Sequence, residues 1–449
     1  MLLATTTSLL VCTVVAVLGL VLLIARGKFH SFIALVIASI FVGLASGMEL
    51  PLIAKSFQDG VGAVLGSIAI IVGLGTILGK MLAESGGAEV VAQRLIVIFG
   101  RNRLDWAMGF IALIVGIPVW FSVGLVLMVP IMFTLAREAK VPLLHVGIPL
   151  IAGLSVAHGL VPPHPGPMVA IELLHADVGK TIFWSLVVGL PTTILCGPIL
   201  GRWLTKRVFV EIGGIGAVVA PASARKTLPG FGLTLFTILL PILLMLLASG
   251  ADVWLPKEDR LRQWSDFAGN PIVAMLVGVL FSFYSFGWAR GFDRKGLAKF
   301  TEECLTPIAS LLLIVGAGGG FSKVLVASGV GKAMEEIART SHLSPLLFGW
   351  LVAALIRVAT GSATVAISTA AGIMVPIVAH LPGTNLVLLI ISMGAGSSVF
   401  SHVNDGGFWF VKEYFNMTVA QTLQTWTVMV TAKSLVELVL VLVLDRFIT

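Results

Sequence analysis

Charge is the scarcest commodity in this chain. Asp, Glu, Lys and Arg make up 11% of its 449 residues, where an ordinary soluble domain carries about 25%, so a molecule wetted on every side is excluded. Cysteine is scarcer still. Cys12, Cys196 and Cys304 lie in or beside apolar segments at no metal-ligand spacing, and they read as small buried hydrophobes. Also missing are G-x-S-x-G, H-E-x-x-H and G-x-x-x-x-G-K-[ST]. That leaves no motif for a serine hydrolase, a zinc protease or an ATP-driven machine. An intramembrane enzyme would need a nucleophile or a metal set, and His402 with Asp405 is a single pair. No enzyme activity, metal or cofactor is expected. The short alternating segments of a membrane β-barrel are absent too.

Apolar length is what the chain has. Hydrophobic residues make up 57% of it. Runs near twenty residues recur from end to end, such as Ser8 to Ala25, Phe231 to Ala248 and Val428 to Leu444. Each is long enough to cross a hydrocarbon core of about 30 Å as a helix. The fold class is therefore an all-α polytopic membrane protein, with the lipid bilayer as its first partner. The first run has no basic leader and no A-x-A-like site, so it reads as a span. The net charge of +7 needs no nucleic acid, because basic residues gather in the cytoplasmic loops of such chains.

The basic residues also orient the spans. Arg26 and Lys28 put the first loop in the cytoplasm and the N-terminus in the periplasm. A second span, Ser31 to Gly47, leads to an outer loop with Glu49, Lys55 and Asp59. A third, Val61 to Leu82, returns to Arg94, Arg101 and Arg103. Later cytoplasmic clusters are Arg202, Lys206, Arg207, Arg225 and Lys226, then Arg290, Arg294, Lys295 and Lys299. Residues 105–139 are apolar but have basic residues at both ends, with Arg137 and Lys140 closing the stretch. Gly116 and Pro118 lie near its middle, which reads as a hairpin that enters from the cytoplasm and turns within the membrane. Two short full spans are the competing reading.

The chain also repeats itself. A shift of 243 pairs "GSIAIIVGLGTILGKMLAESGG" from Gly66 with "ASLLLIVGAGGGFSKVLVASGV" from Ala309. A shift of 246 aligns "MVPI" at Met128 with "MVPI" at Met374, and 243 returns to match "AGLSV" at Ala152 with "AGSSV" at Ala395. Counting five spans and one hairpin per copy, the second copy enters the membrane in the opposite sense. Such inverted-topology repeats suit a transporter with its site at the midplane. The copies run over residues 1–204 and 230–449, with a cytoplasmic linker over 205–229. The second hairpin falls at about 345–380, and both chain ends come out periplasmic. Outside it, Ser249 to Asp266 forms a loop whose Trp254 and Trp264 mark an interface.

Two helices are interrupted at matching places. Pro162, Pro163, Pro165 and Pro167 cannot continue one helix, so the element at about 146–170 must unwind around Gly159 to Gly166. Its counterpart at about 384–410 carries "SHVNDGG", Ser401 to Gly407. Broken helices survive in a bilayer only where protein or a water-filled cavity takes the freed groups, and their N-terminal ends attract a carboxylate. Ser122 at one hairpin tip, Ser362 and Thr364 at the other, and Asn404 are candidate contacts for a polyol. His158, His164, His402 and Asp405 are ionisable groups inside the membrane, which marks them for function. His158, His164 and His402 are further candidates for substrate contact, while His158, His402 and Asp405 are the candidate proton carriers. A packed interior histidine is the competing reading for each. Arg357 either holds a substrate carboxylate or pairs with a nearby acid. Lys80 and Lys323 read as snorkelling residues. His30, His145, His175, His342 and His380 lie near span ends.

At "HGLVPPHPGP" (His158 to Pro167), "GSATVA" (Gly361 to Ala366) and "SHVNDGGFW" (Ser401 to Trp409) the chain resembles the gluconate permease family. This is a branch of the ion transporter superfamily of elevator-type carriers, and the likeness covers nearly the whole length. The resemblance implies proton-coupled uptake of gluconate or a related sugar acid through a bacterial inner membrane. A homodimer is the expected assembly. Other members take idonate, fructuronate, glycerate or D-serine, and a Na⁺-coupled carrier is the alternative within the fold. The family's first hairpin tip often carries an acid where this chain has Ser122 in "WFSVG".

Overall fold

Proline and glycine decide where the helices start and stop. Pro51, Pro165, Pro271 and Pro345 each occupy the first turn of a helix, where a missing N–H goes unnoticed. The computed structural model describes residues 6–210, 227–256, 258–305, 308–329, 344–379, 381, 383–403 and 405–448, and among these there is no strand. The first helices are α1 (Thr6–Ala25), α2 (Ser31–Ala45), α3 (Leu50–Ser85), α4 (Gly87–Phe99), α5 (Leu104–Gly116), α6 (Phe121–Glu138) and α7 (Leu143–Leu160). Next come α8 (Pro165–Leu174), α9 (Val178–Ile194), α10 (Leu200–Thr205), α11 (Phe231–Trp254), α12 (Arg260–Gly269), α13 (Pro271–Ser282) and α14 (Arg294–Leu305). The last are α15 (Ala309–Ala327), α16 (Pro345–Thr360), α17 (Ala363–Val378), α18 (Leu386–Gly396), α19 (Gly406–Tyr414), α20 (Val419–Thr422) and α21 (Val428–Ile448). A π turn at Leu195–Ile199 joins α9 to α10, and another at Leu423–Thr427 joins α20 to α21.

Among the described residues, eight helical stretches are long and apolar enough to cross a membrane. The chain is a multi-pass membrane protein. Two expected outer loops are helical instead. Lys55 and Asp59 lie inside α3, which has Pro51 in its first turn and runs on until Gly86, in the left-handed conformation (φ 77°). Between Ser249 and Asp266 the chain finishes α11 and begins α12, whose N-cap Asp259 accepts from Leu261 N–H at 2.7 Å. Arg262 then ties α12 back to Asp252 at 2.5 Å. Trp254 and Trp264 are exposed there, at 84% and 69%, as membrane-interface residues are.

Both stretches read as hairpins are pairs of packed helices. α5 and α6 are joined through residues 117–120, and α16 and α17 through Gly361 and Ser362. Gly361 sits at φ 75°, a conformation open to glycine and strained for other residues. α5 has 13 residues and α16 and α17 have 16 each, too few to span about 30 Å. α6, with 18, reaches span length. At the base of the first pair, Asp105 accepts from Arg202 Nε of α10 at 2.6 Å. α3 and α15, which carry the longest repeated block, pack against each other.

Each interrupted helix is covered by its neighbouring pair. α5 and α6 pack on α7, while α16 and α17 pack on α18; α17 also packs on α8. The first break is shorter than expected, spanning residues 161–164. Gly159 stays helical, and Pro165 and Pro167 open α8 because its first turn needs no N–H. The second break lies between the end of α18 at Gly396 and the start of α19 at Gly406. α7 and α18 touch backbone to backbone just before each breaks: a Cβ on Gly394 would stand 2.6 Å from the Gly159 carbonyl oxygen. The 205–229 linker lies mostly outside the described residues. Cys196 is buried, whereas Cys12 and Cys304 are half-buried.

Candidate substrate site

Both tips, the last turn of α7 before the first break, and the second break meet at one cavity of about 300 Å³. The first tip contributes Trp120, Phe121 and Ser122, and the last turn of α7 gives Ser155, His158 and Gly159. The second tip adds Arg357, Gly361, Ser362 and Thr364, and the second break adds Ser398, Asp405, Gly406 and Gly407. Trp426 and Val430 close the wall.

Three helices therefore point their N-terminal ends at this space: α6, α17 and α19. Such ends carry unsatisfied N–H groups and a partial positive charge. Ser362 caps α17 through Val365 N–H, and Asp405 caps α19 through Gly407 N–H at 2.8 Å. No side chain caps α6. α8 was the expected anion-facing end of the first break, but it does not line the cavity. Its first turn holds Pro165 and Pro167, which have no N–H to give.

Asp405 organises the second break. Its carboxylate accepts from Arg357 Nη2, Ser401 Oγ and Gly407 N–H. The other fork of Arg357 donates to the Gly361 carbonyl at the second tip. Ser401 in turn accepts from Trp426 Nε1 at 2.7 Å, and its carbonyl accepts from Thr427 Oγ1. The Arg357 pairing with an acid is thus realised, and one connected network joins tip, break and the turn before α21.

Some buried polar atoms are left over. Among the described residues, His158 Nδ1 and Arg357 Nε are buried without a hydrogen-bond partner, although both residues line the cavity. Buried polar atoms in this state call for an explanation, and a bound ligand supplies one. Ser122 and Thr364 are partly exposed at the cavity wall.

The other described histidine candidates do not line this space. His164 is buried behind it, its Nε2 2.7 Å from the Gly116 carbonyl and its ring edge-on to His158 at 5.0 Å. His402 braces the second break against α16, with Nε2 3.0 Å from the Val358 carbonyl. Asn404, His342 and His380 lie outside the described residues. His30 contacts Ser310 Oγ at 2.8 Å, and His175 ends α8 in the left-handed conformation. Lys80 is held by Glu84 and Glu303, at 3.1 Å each, rather than left free to snorkel. Among the described residues, no three His, Cys, Asp or Glu side chains are grouped to hold a metal ion. Trp120, Ser155 and Trp426 were not singled out from sequence; Ser155 and Ser398, partners under the 243 shift, line the same cavity.

Comparison with known proteins gives this cavity a context. The pattern of the GntP family permeases matches residues 8–447. The chain belongs to the GntP permease family. It is 49% identical over 438 residues to a gluconate permease of Pseudomonas aeruginosa, covering 97% of both chains. It is 38% identical to the Gnt-II system L-idonate transporter of Escherichia coli, covering 95% of this chain and 96% of that one. In fold it is similar to the YdaH transporter of Alcanivorax borkumensis, with a TM-score of 0.66 at 16% identity, over 93% of this chain and 98% of that one. The protein is a membrane permease and not an enzyme. Its relatives are named for gluconate and idonate transport, which supports a sugar acid as cargo.

Proposed function

We propose that this permease imports gluconate or a closely related sugar acid by proton symport across the bacterial inner membrane. The observation that carries the reading is the convergence of two tips, the end of α7 and the second break on one cavity whose wall holds unpartnered buried nitrogens. A carboxylate suits the uncapped end of α6 and the spare donor of Arg357. Ser122, Ser362 and Thr364 suit the cargo's hydroxyls and His158 its carboxylate, and Asn404, with His164 and His402 behind the wall, completes the candidate set. His158, His402 and Asp405 are the titratable candidates at the breaks. A cavity of about 300 Å³ lies at the lower end of ligand pockets, which run from roughly 300 to 1,000 Å³, as a small acid requires.

Residues 1–204 and 230–449 act in this reading as inverted repeats about the linker, with both chain ends periplasmic. The Asp105–Arg202 pair is in keeping with it, since the base of the first hairpin lies beside one of the basic residues read as cytoplasmic. The hairpins at about 105–139 and 345–380 and the broken helices at about 146–170 and 384–410 move together against a scaffold, in a homodimer. Reconstituted permease should accumulate labelled gluconate when an inward proton gradient is imposed, with or without Na⁺. Accumulation driven only by Na⁺ would assign the other ion. Uptake indifferent to both gradients, or no uptake of gluconate, idonate, glycerate, fructuronate or D-serine, would remove the reading.

A further inference from the structure

Behind the cavity wall lies an ion pair that the site above does not use. Lys433 and Glu437, one turn apart on α21, are both fully buried, with Lys433 Nζ 3.2 and 3.3 Å from the two carboxylate oxygens. Lys433 follows the cavity-lining Val430 by three residues, and its ammonium lies 3.3 Å from where a Cβ on Gly159 would stand. The cationic end of the pair therefore borders the cavity wall, and the anionic end lies one turn farther along the helix. A buried pair of this kind adds little stability over an apolar filling of the same shape, so its presence points to a use.

The surroundings favour Glu437 over Asp405 as a proton acceptor. Asp405 accepts from three donors at once, and a proton there would disband the network that joins tip to break. Glu437 is hydrogen-bonded to Lys433. Of the elements packed on α21, the turn after α9 brings Cys196 toward Glu437. α7 brings His158 toward Lys433, and α16 brings Arg357 beyond it. His145 lies at the opposite end of α7, Lys180 is exposed at the start of α9, and α18 and the turn before α21 carry no titratable group.

We infer that Glu437 takes up the proton that accompanies the substrate. The inference rests on the symport reading above. A hydronium from the aqueous face gives its proton to a Glu437 carboxylate oxygen and leaves as water; one O–H bond breaks and one forms. Lys433 then loses its countercharge, and its ammonium favours a carboxylate on the other side of Gly159. By reciprocity, a bound carboxylate favours the proton on Glu437 to the same degree. Proton and monoanion enter together, so the net charge of the buried region does not change.

Proton uptake on adding saturating gluconate to purified permease in weak buffer, read with a pH dye, tests this. Wild type should take up about one proton per gluconate bound, as linkage requires. Glu437→Gln should bind gluconate without proton uptake and exchange it across vesicles without accumulating it. If that variant fails to fold, Lys433→Met with Glu437→Leu removes both charges together. It should show no proton uptake and roughly tenfold weaker binding, the loss of the Lys433 charge. Wild-type proton uptake in either variant would overturn the assignment. Gluconate binding without proton uptake in wild type itself would instead overturn the symport reading.

Discussion

Arg357→Ala should abolish sugar-acid uptake and lower the melting temperature of the purified permease. The side chain is 5% exposed and bonds Asp405 with one fork and the Gly361 carbonyl with the other. Its removal leaves the Asp405 carboxylate in a half-buried site with no cation beside it, and breaking a pair of this kind costs about 3 kcal/mol or more. The damage reaches function because Asp405 also caps α19, holds Ser401 and lines the cavity. Arg357→Lys should not restore transport. An ammonium is a point charge and lacks the planar fork that reaches carbonyl and carboxylate together. Asp405→Asn should lose coupled uptake by the same route, since the amide brings hydrogens toward donors that need an acceptor. Wild-type uptake by Arg357→Ala would mean the network is ornamental.

His158→Ala should have the opposite profile, with binding lost and the fold kept. His158 is half-buried at the cavity wall, and its Nδ1 is buried without a partner among the described residues. An unpartnered buried atom contributes nothing to stability that its removal could take away. The melting temperature without substrate should stay within a few degrees of wild type. Gluconate affinity should fall roughly 10- to 100-fold, the loss of one hydrogen bond worth about 1.5–3 kcal/mol to a charged ligand. Calorimetric titration alongside a thermal melt separates the two effects. Unchanged affinity with a lowered melting temperature would make His158 a packing residue.

The parts legible in the sequence are those governed by local chemistry. Four prolines within six residues, Pro162 to Pro167, and the polar, glycine-bearing "SHVNDGG" interrupt a helix where a single internal proline such as Pro149 does not, so the two breaks were readable. Their exact limits were not, because a proline in the first helical turn is tolerated, and α8 begins at Pro165. Which polar groups enter the cavity depends on side-chain direction, which spacing does not fix. Ser122, His158, Ser362, Thr364 and Asp405 reach it, while His164 and His402 turn to backbone carbonyls at Gly116 and Val358. Arg357 and Asp405 are 48 residues apart, and only the tertiary fold makes them partners. Lys433 and Glu437 did leave a signal, two opposite charges four residues apart inside the apolar run from Val428 to Leu444. It was lost in the hydrophobicity of the run around it, although an intramembrane ionisable pair is itself a pointer to function.

In the proposed symport the sugar acid binds in the cavity where the two tips meet the end of α7 and the second break. A single cysteine at Thr364, with Cys12, Cys196 and Cys304 replaced by alanine, allows a direct reading of occupancy by a small thiol reagent. Labelling should slow as gluconate is added, with half-protection at the concentration that half-saturates uptake. Labelling at an unchanged rate under saturating gluconate, in protein that still transports it, would place the binding site elsewhere.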